Sequence, residues 1–245
     1  MNTKGKFLDL FKNSKPILGM LHLKGDTDEE VFQIALKEID FLCKNGVDAV
    51  VVENYFGKPH HVEMMLQYLK ENRSDIIYGV NLLDDDRFGF QLAKKYDAKF
   101  IQLDSVAGHL ELPEDERFHH FITSKRKECD SFVLGGVRFK YQPYKSGRTL
   151  EEDLKIGMTR CDAVVVTGDA TGMETDIDKI SSFRKIIGDF TLIIGAGMTA
   201  ENCSKQLELA DAAVVGSYFK DNYKDSGDVC AAHVTTFMDA VRKCR

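Results

Sequence analysis

Charged side chains stand at the ends of several short apolar segments in this 245-residue sequence. Glu53, Asp104 and Lys140 each stand at or near the end of a run rich in valine, isoleucine, leucine or phenylalanine. Two carboxyl groups can act as general acid and general base, and a lysine can stabilise an oxyanion or form a Schiff base. If these three side chains meet, we expect isomerisation, epimerisation or bond cleavage on a small substrate.

More polar residues stand at the ends of other apolar runs and are candidates for binding a substrate. They are His22, Asn54, Asn81, Arg138, Thr167 and Asp169. We expect His22 and Asn81 to orient substrate hydroxyl groups, although a lone histidine at a strand end fits a structural role equally well.

Two glycine-containing turns near the C-terminus predict a phosphate site. FTLIIGAGMTAEN contains Gly195, Gly197 and Met198 and places Thr199 to cap a helix, and DAAVVGSYFK contains Gly216 and Ser217. Glycines let backbone N–H groups approach an anion, and helix N-termini add partial positive charge. The first turn also fits a dinucleotide fingerprint, and both fit plain tight turns. A dinucleotide motif, however, normally follows the first strand of its domain.

The elements that position these residues alternate between strand-like runs and amphipathic segments. Eight runs start 21 to 32 residues apart, which leaves room for one helix in each interval. The runs cover residues 16–23, 47–54, 76–82, 99–105, 131–140, 162–168, 190–197 and 211–217. The predicted helices cover residues 28–44, 60–70, 87–96, 150–159, 177–187, 200–209 and 228–242.

Eight such units without a linker predict an α/β fold, a single (β/α)8 TIM barrel over residues 1–245, with a doubly wound open sheet as the main alternative. The polar, aromatic segment 109–129 is predicted to hold a short extra helix near the barrel mouth. In such barrels the active site forms at the C-terminal ends of the strands. All the polar residues named above would therefore gather at one face.

The alternation of side chains in a strand predicts which residues face the barrel interior. Ile101 and Leu103 form an outward apolar set, so Gln102 and Asp104 should point inward. In the fifth run, Val133, Val137 and Phe139 form the outward set, so Arg138 and Lys140 should point inward. Glu53 stays ambiguous because both faces of its run are apolar. The alternative to a catalytic pocket is a structural network of buried ion pairs.

Composition excludes several other classes of function. A net charge of −6 without a long basic cluster argues against a nucleic-acid partner, and no apolar stretch is long enough to span a bilayer. The N-terminus lacks a signal peptide, so we expect a cytoplasmic protein. Six scattered cysteines contain no C-x-x-C motif. The pairs His60–His61 and His119–His120 fit solvated surface, and the run 84–86 fits a helix cap or, alternatively, a site that touches a cation such as Mg²⁺.

Taken together, these segments resemble the BtpA/SgcQ family of phosphate-binding barrels. The resemblance rests on PILGMLHL, VDAVVVENYFGKP, YGVNLL, AKFIQLDSVAG, VRFKYQP, DAVVVTGDATG, LIIGAGMTAEN and ADAAVVGSYFK. It implies a barrel related to the ribulose-phosphate binding barrels and a phosphate grip at Gly197 and Gly216–Ser217. It also implies roles for Gly168 and for His22, Glu53, Asn54, Asn81, Lys140 and Thr167, which match the family's motif positions.

The sequence departs from the family pattern where residues 84–86 replace an Asn-Asp pair, and where Gln102 and Asp104 replace Arg and Asn. These departures replace a cation and an amide at the pocket floor by an amide and an acid, so the resemblance does not assign the substrate. The first hypothesis is an enzyme acting on a phosphorylated sugar or a similar phosphorylated metabolite. The second, implied by the family name, is a non-catalytic factor for biogenesis of a photosystem I-like complex. The third is a nucleoside or glycoside hydrolase. A homo-oligomer is compatible with each.

Overall fold

The computed structural model describes residues 5–245 and contains eight parallel strands that close into a barrel. Each strand pairs with the next one along the chain, and β8 returns to pair with β1. The strands are β1 (Ile17–His22), β2 (Ala49–Glu53), β3 (Tyr78–Asn81), β4 (Phe100–Ala107), β5 (Phe132–Val137), β6 (Ala163–Val166), β7 (Leu192–Ile194) and β8 (Ala212–Val215). The predicted (β/α)8 barrel is confirmed, and the open sheet is excluded. The predicted domain limits, 1–245, include residues 1–4, which lie outside the described range.

A helix follows every strand and covers the outside of the barrel. The helices are α1 (Asp28–Lys44), α2 (Pro59–Asn72), α3 (Asp86–Lys95), α4 (Leu112–Glu128), α5 (Leu150–Arg160), α6 (Ile177–Ile187), α7 (Cys203–Leu209) and α8 (Ala231–Arg242). No helix within residues 5–245 is long and apolar enough to cross a membrane.

The prediction of a short accessory helix in residues 109–129 is wrong, because α4 is a full crossover helix of 17 residues. Only Asp115 and Ile122 of α4 are buried, so the helix carries little apolar periodicity for a sequence pattern to reveal. Asp115 instead accepts hydrogen bonds from the guanidinium groups of Arg160 and Arg148, at 2.6 and 2.8 Å. Charged contacts thus add to the apolar contacts of Phe118, Phe121 and Ile122 in positioning this helix.

Two layers of apolar side chains arise from the alternation along each strand. In β2, Val50 and Val52 belong to the layer between barrel and helices, whereas Ala49 and Val51 belong to the interior layer. Glu53 follows the second set and points into the barrel, which resolves the ambiguity in its sequence pattern. The interior is closed at the N-terminal ends of the strands by Phe7, whose ring meets Phe100 edge to face at a centroid distance of 5.7 Å.

Strand β4 carries a bulge where Asp104 stands. Its register with β5 runs from Leu103 opposite Gly135 to Ala107 opposite Val137, so four steps in β4 match two in β5. The bulge brings the Asp104 backbone oxygen so close to Gly136 that a Cβ there would lie 2.1 Å from it. Any side chain at position 136 would therefore clash with Asp104, so the bulge requires a glycine there.

Candidate active site

A cavity of about 330 Å³ opens at the C-terminal ends of the strands. Its lining includes the three predicted catalytic residues, Glu53, Asp104 and Lys140, together with His22. The glycine turns after β7 and β8 form another part of the wall and contribute Gly195, Gly197, Met198, Gly216 and Ser217. One cavity thus brings together the predicted acid–base residues and the predicted phosphate loops.

A hydrogen-bond network joins the polar side chains of the cavity floor. Asn81 is buried behind the cavity, and its Nδ2 donates to Glu53 Oε1 at 2.7 Å and to Asp104 Oδ1 at 3.3 Å. The other oxygen of Glu53, Oε2, lies 3.3 Å from Nε2 of His22. The two carboxyl groups therefore share one amide nitrogen, and Asn81 positions them rather than lining the cavity itself.

Burial changes the protonation of this network. Burial is the main cause that raises the pKa of Glu53 to about 8, and the neighbouring Asp104 charge adds to it. Burial likewise lowers the pKa of His22 to about 3, with the Lys220 charge as the next cause. Burial also raises the pKa of Asp104, although the Asn81 amide and the Lys140 ammonium oppose that shift. At neutral pH the floor therefore holds a neutral Glu53 and a neutral His22.

The Lys140 side chain lines the cavity because a hydrogen bond fixes the backbone of this residue just after β5. Its N–H donates to Thr167 Oγ1 at 2.9 Å, which ties the end of β5 to the end of β6. Within residues 5–245 its Nζ has no hydrogen-bond or ion-pair partner, and it lies 5.6 Å from the centroid of the Phe139 ring. The ammonium group is therefore available to a bound molecule.

The prediction that Arg138 points into the barrel is wrong, and so is the prediction that Phe139 points outward. Strand β5 ends at Val137, and Arg138 adopts a φ of +47°, so the two-residue alternation stops there. The Arg138 guanidinium donates to Asp153 Oδ2 at 3.0 Å on α5, while Phe139 joins the interior apolar layer. A pattern that assumes regular strand geometry cannot detect this break.

Four further predicted residues lie near the cavity without lining it. Asn54 Oδ1 accepts the Leu83 N–H at 2.8 Å, so it joins the loops after β2 and β3. Thr167 is fully buried. Gly168 packs against the backbone of the loop after β6, and Asp169 is exposed. Their contacts support positioning of the loops rather than direct contact with a ligand.

The turn after β7 differs from its prediction in one respect. Helix α7 begins at Cys203 instead of residue 200, and Thr199 Oγ1 caps the preceding turn by accepting the Glu201 N–H at 3.2 Å. Gly197 has a φ of +69°, and a Cβ there would lie 2.1 Å from the Met173 backbone oxygen. Packing against the loop after β6 therefore requires this glycine, independently of any anion.

Three backbone donors in the two glycine turns lack an acceptor in the described part of the chain. No acceptor is found among residues 5–245 for the N–H groups of Gly197, Met198 and Ser217. All three residues line the cavity. Such donors can bind the oxygen atoms of an anion.

Tyrosines at the cavity mouth were missed by the sequence analysis. The hydroxyl group of Tyr55 lies 3.2 Å from Thr171 Oγ1, and the Thr171 N–H donates to the Tyr141 hydroxyl group at 2.9 Å. Tyr223, in the loop after β8, lines the same mouth. The available signal was an aromatic residue shortly after a strand end, as in VVENY and RFKY.

The candidate metal ligands lie in two places. Among the described residues, Asp28, His60 and His61 form the group of three whose ligand atoms converge. Nδ1 of His61, however, accepts the Lys58 N–H at 3.1 Å, so the proton of the neutral ring stays on Nε2, the atom that faces Asp28. At the mouth, the run 84–86 mainly caps α3, because Asp85 accepts the Phe88 N–H. Burial raises the pKa of Asp86 to about 6.

Comparison with known proteins identifies the relatives of this chain. An uncharacterized protein of Methanocaldococcus jannaschii is 26% identical over 91% of this chain and 93% of its own length. The putative sgc region protein SgcQ of Escherichia coli is 25% identical over 97% and 98%. The photosystem I biogenesis protein BtpA of Synechocystis is 20% identical over 94% and 89%.

Solved structures share the fold at low sequence identity. A native KDPGal structure superposes with a TM-score of 0.64 at 14% identity and covers 96% of this chain and 98% of that chain. Phosphoribosyl anthranilate isomerase from Thermus thermophilus gives 0.61 at 12% identity, with 94% and 100% covered. The BtpA family model matches residues 13–243. The chain, a barrel with this cavity at its C-terminal face, belongs to the BtpA family.

Proposed function

We propose that this protein is an enzyme that acts on a phosphorylated sugar or a similar small phosphorylated metabolite, as an isomerase, epimerase or lyase. The observation that carries the proposal is the composition of the cavity. Within residues 5–245, a neutral Glu53, the Asp104 carboxyl group and an unpaired Lys140 share it with two turns that contain backbone N–H groups without acceptors. The three side chains can transfer protons, and the backbone N–H groups of the two turns can bind a phosphate.

Each residue of the floor has a chemical task in this proposal. Asp104 removes a proton from a carbon next to the substrate's carbonyl or hydroxyl group, and Lys140 stabilises the oxyanion that develops. Glu53, protonated at neutral pH, returns a proton to that oxygen or to the leaving group. Asn81 holds both carboxyl groups in place through its single Nδ2 atom.

Phosphate binding would fix the substrate across the barrel. Strands β7 and β8 stand next to each other in the closed barrel, and β4 stands opposite β8. A phosphate held by Gly197, Met198 and Ser217 therefore leaves the rest of the molecule to extend toward Asp104. Binding energy from a group that does not react can in this way position the group that does.

The names of two proteins with a similar fold are compatible with this proposal. Fold neighbours include a phosphoribosyl anthranilate isomerase and a thiamine phosphate pyrophosphorylase, both named for phosphorylated compounds. Their identity to this chain is 12 and 14%, so the argument rests on the cavity and not on the neighbours.

Ligand-induced thermal stabilisation tests the proposal. The protein is screened against phosphorylated sugars and their unphosphorylated counterparts, with and without Mg²⁺. A ligand at about 100 times its Kd stabilises by about 2.7 kcal/mol, which at this size raises the Tm by roughly 5 to 11 °C. Stabilisation confined to phosphorylated compounds supports the proposal. Stabilisation by unphosphorylated compounds alone favours a nucleoside or glycoside hydrolase, and no stabilisation contradicts an enzyme of this class.

A second candidate function, a non-catalytic biogenesis factor, is favoured by an apolar rim around the cavity. The large apolar side chains that are exposed within residues 5–245 all follow strands, at the same face as the cavity. They are Phe56, Leu112, Tyr141, Tyr144, Met173 and Tyr223. Exposed apolar side chains gathered at one face can form a contact surface for another molecule.

Complementation of a strain that lacks the protein separates the two functions. An enzyme requires Glu53, so Glu53→Gln fails to complement while Leu112→Ser and Tyr144→Ser, which change the rim outside the cavity, succeed. A biogenesis factor gives the opposite pattern.

A further inference from the structure

Gln102 is a buried polar residue on the cavity floor whose side chain is only half satisfied. It is 4% exposed and lines the cavity, and among residues 5–245 its Oε1 has no hydrogen-bond partner. A buried acceptor without a donor costs free energy. Because Gln102 lines the cavity, a molecule bound there is the candidate partner for its Oε1.

The orientation of the Gln102 amide follows from its neighbour. Gln102 lowers the pKa of the neighbouring Asp104 carboxyl group, as an amide does when its N–H side faces the carboxyl group. Turning the amide over would place Oε1 against a carboxylate and leave two acceptors in contact. The free position is therefore an acceptor, and a ligand must present a donor to it.

The position of Gln102 defines which part of a ligand could reach it. Gln102 and Asp104 face the same side of β4, with Gln102 two residues deeper in the barrel. Strand β4 lies across the barrel from β8, whose turn carries Ser217. The donor therefore belongs to the end of the ligand that is remote from its phosphate.

The charge of the site points to a hydroxyl group as this donor. Gln102 offers a neutral acceptor beside Asp104, and Lys140 supplies an unpaired cation to the same cavity. A site for an ammonium group would gain more from a second carboxylate at position 102. A hydroxyl group is satisfied by a neutral amide oxygen and can donate without bringing charge into the floor.

We propose that Gln102 is a specificity-determining residue that accepts a hydrogen bond from a substrate hydroxyl group, so that the substrate is a phosphate ester with a free hydroxyl group remote from its phosphate. This inference rests on the proposed function and narrows its substrate class. It predicts that the protein discriminates between a sugar phosphate and its deoxy analogue, because the analogue leaves Oε1 unpaired.

Calorimetric titration with matched ligands tests the inference. The probes are ribose 5-phosphate with 2-deoxyribose 5-phosphate, glucose 6-phosphate with its 2-deoxy and 3-deoxy analogues, and inorganic phosphate. We expect the wild-type protein to prefer the hydroxylated member of at least one set by roughly 5- to 150-fold. The near-isosteric Gln102→Met variant should lose this preference and bind inorganic phosphate as before.

Two further variants keep the test interpretable. Gln102→Leu also removes the acceptor and should likewise lose the preference, so it replaces Gln102→Met if that variant does not fold. Gln67→Met, an exposed position on α2 whose amide contacts only Glu71 among the described residues, controls for loss of a glutamine and should behave as wild type. A preference that survives in a folded Gln102→Met variant, or sugar phosphates bound without any preference, overturns the inference and leaves the proposed function standing. Failure of every phosphorylated probe to bind overturns both.

Discussion

Nε2 of His22 lies 3.3 Å from Oε2 of Glu53, while Nδ1 of the same ring lies 3.3 Å from the backbone oxygen of Asp225. A carbonyl oxygen only accepts, so the ring proton stays on Nδ1, and Nε2 is an acceptor. Glu53 must then be protonated and donate its hydrogen bond from Oε2 to Nε2 of His22. The pair is neutral and holds one acidic proton at the cavity floor, with the loop after β8 fixing its orientation.

The neutral Glu53 predicts an unusual dependence of stability on pH. The folded protein holds the Glu53 proton up to a pKa of about 8, whereas the unfolded chain releases it near 4.5, so this residue makes stability fall as pH rises between those values. His22 acts in the opposite sense between about 3 and 6.5, because the unfolded chain binds the extra proton. Between pH 4.5 and 6.5 the effects of Glu53 and His22 on stability oppose each other. Between pH 6.5 and 8 only the effect of Glu53 remains of these two.

As pH rises from 6.5 to 8, wild type should lose about 2 kcal/mol of unfolding free energy relative to the Glu53→Gln variant. This difference corresponds to a relative shift in Tm of roughly 4 to 8 °C. Thermal unfolding of both proteins across this range measures the difference. Parallel curves for the two proteins would show that Glu53 is already ionised at pH 6.5.

Removal of the Lys140 charge should impair turnover without unfolding the protein. Lys140 lowers the pKa of both Asp104 and Glu53, so Lys140→Met should raise the two pKa values further and reduce kcat by about 100-fold or more through lost oxyanion stabilisation. The matched control is Lys145→Met, at an exposed position in the same loop.

Carboxyl NMR titration follows the two pKa values, and assay of the substrate found by ligand screening follows kcat. Full activity of Lys140→Met removes this lysine from the chemistry. Trapping of the substrate on the wild-type protein by borohydride would assign Lys140 to a Schiff base instead of an oxyanion contact.

The sequence was sufficient for the barrel because apolar alternation and spacing are repeated eight times, and the same alternation placed Gln102 and Asp104 correctly. It was insufficient where geometry leaves the regular strand. The positive φ of Arg138 interrupts the alternation after Val137, so that Phe139 and Lys140 both line the cavity. Helix α4 has only a weak apolar pattern, and charged contacts help to hold it. The protonation of Glu53 likewise depends on burial and on the neighbouring Asp104 charge, and both arise only when distant segments of the chain meet.

Gly197 should tolerate a side chain less well than other glycines with the same backbone conformation. Gly197 and Gly147 have φ values of +69° and +67°, but a Cβ at position 147 would meet nothing within 4 Å. Gly147→Ala should therefore cost only the backbone strain, about 1 to 2 kcal/mol. Gly197→Ala should cost more, because the loop containing Met173 must move, and it should also weaken binding of phosphorylated probes. Chemical denaturation and calorimetry measure the two effects, and equal losses in both variants would contradict the predicted clash.

A buried ion pair beneath the loop after β8 provides a separate test of how His22 is held. Lys220 is fully buried, and its Nζ donates to both oxygens of Glu38, at 2.8 and 2.9 Å. Removing one partner leaves the other charge buried, so Lys220→Met should destabilise the protein by about 3 to 5 kcal/mol. Because the Lys220 charge lowers the pKa of His22, the same variant should raise that pKa.

The double variant Lys220→Met with Glu38→Gln leaves no unpaired charge and should recover part of the lost stability, while the His22 pKa stays above its wild-type value. Urea denaturation follows stability, and NMR titration of the His22 ring follows protonation. A His22 pKa that is unchanged in a folded Lys220→Met variant would show that burial alone keeps the ring neutral. The proton shared with Glu53 would then be independent of the loop's anchoring charge.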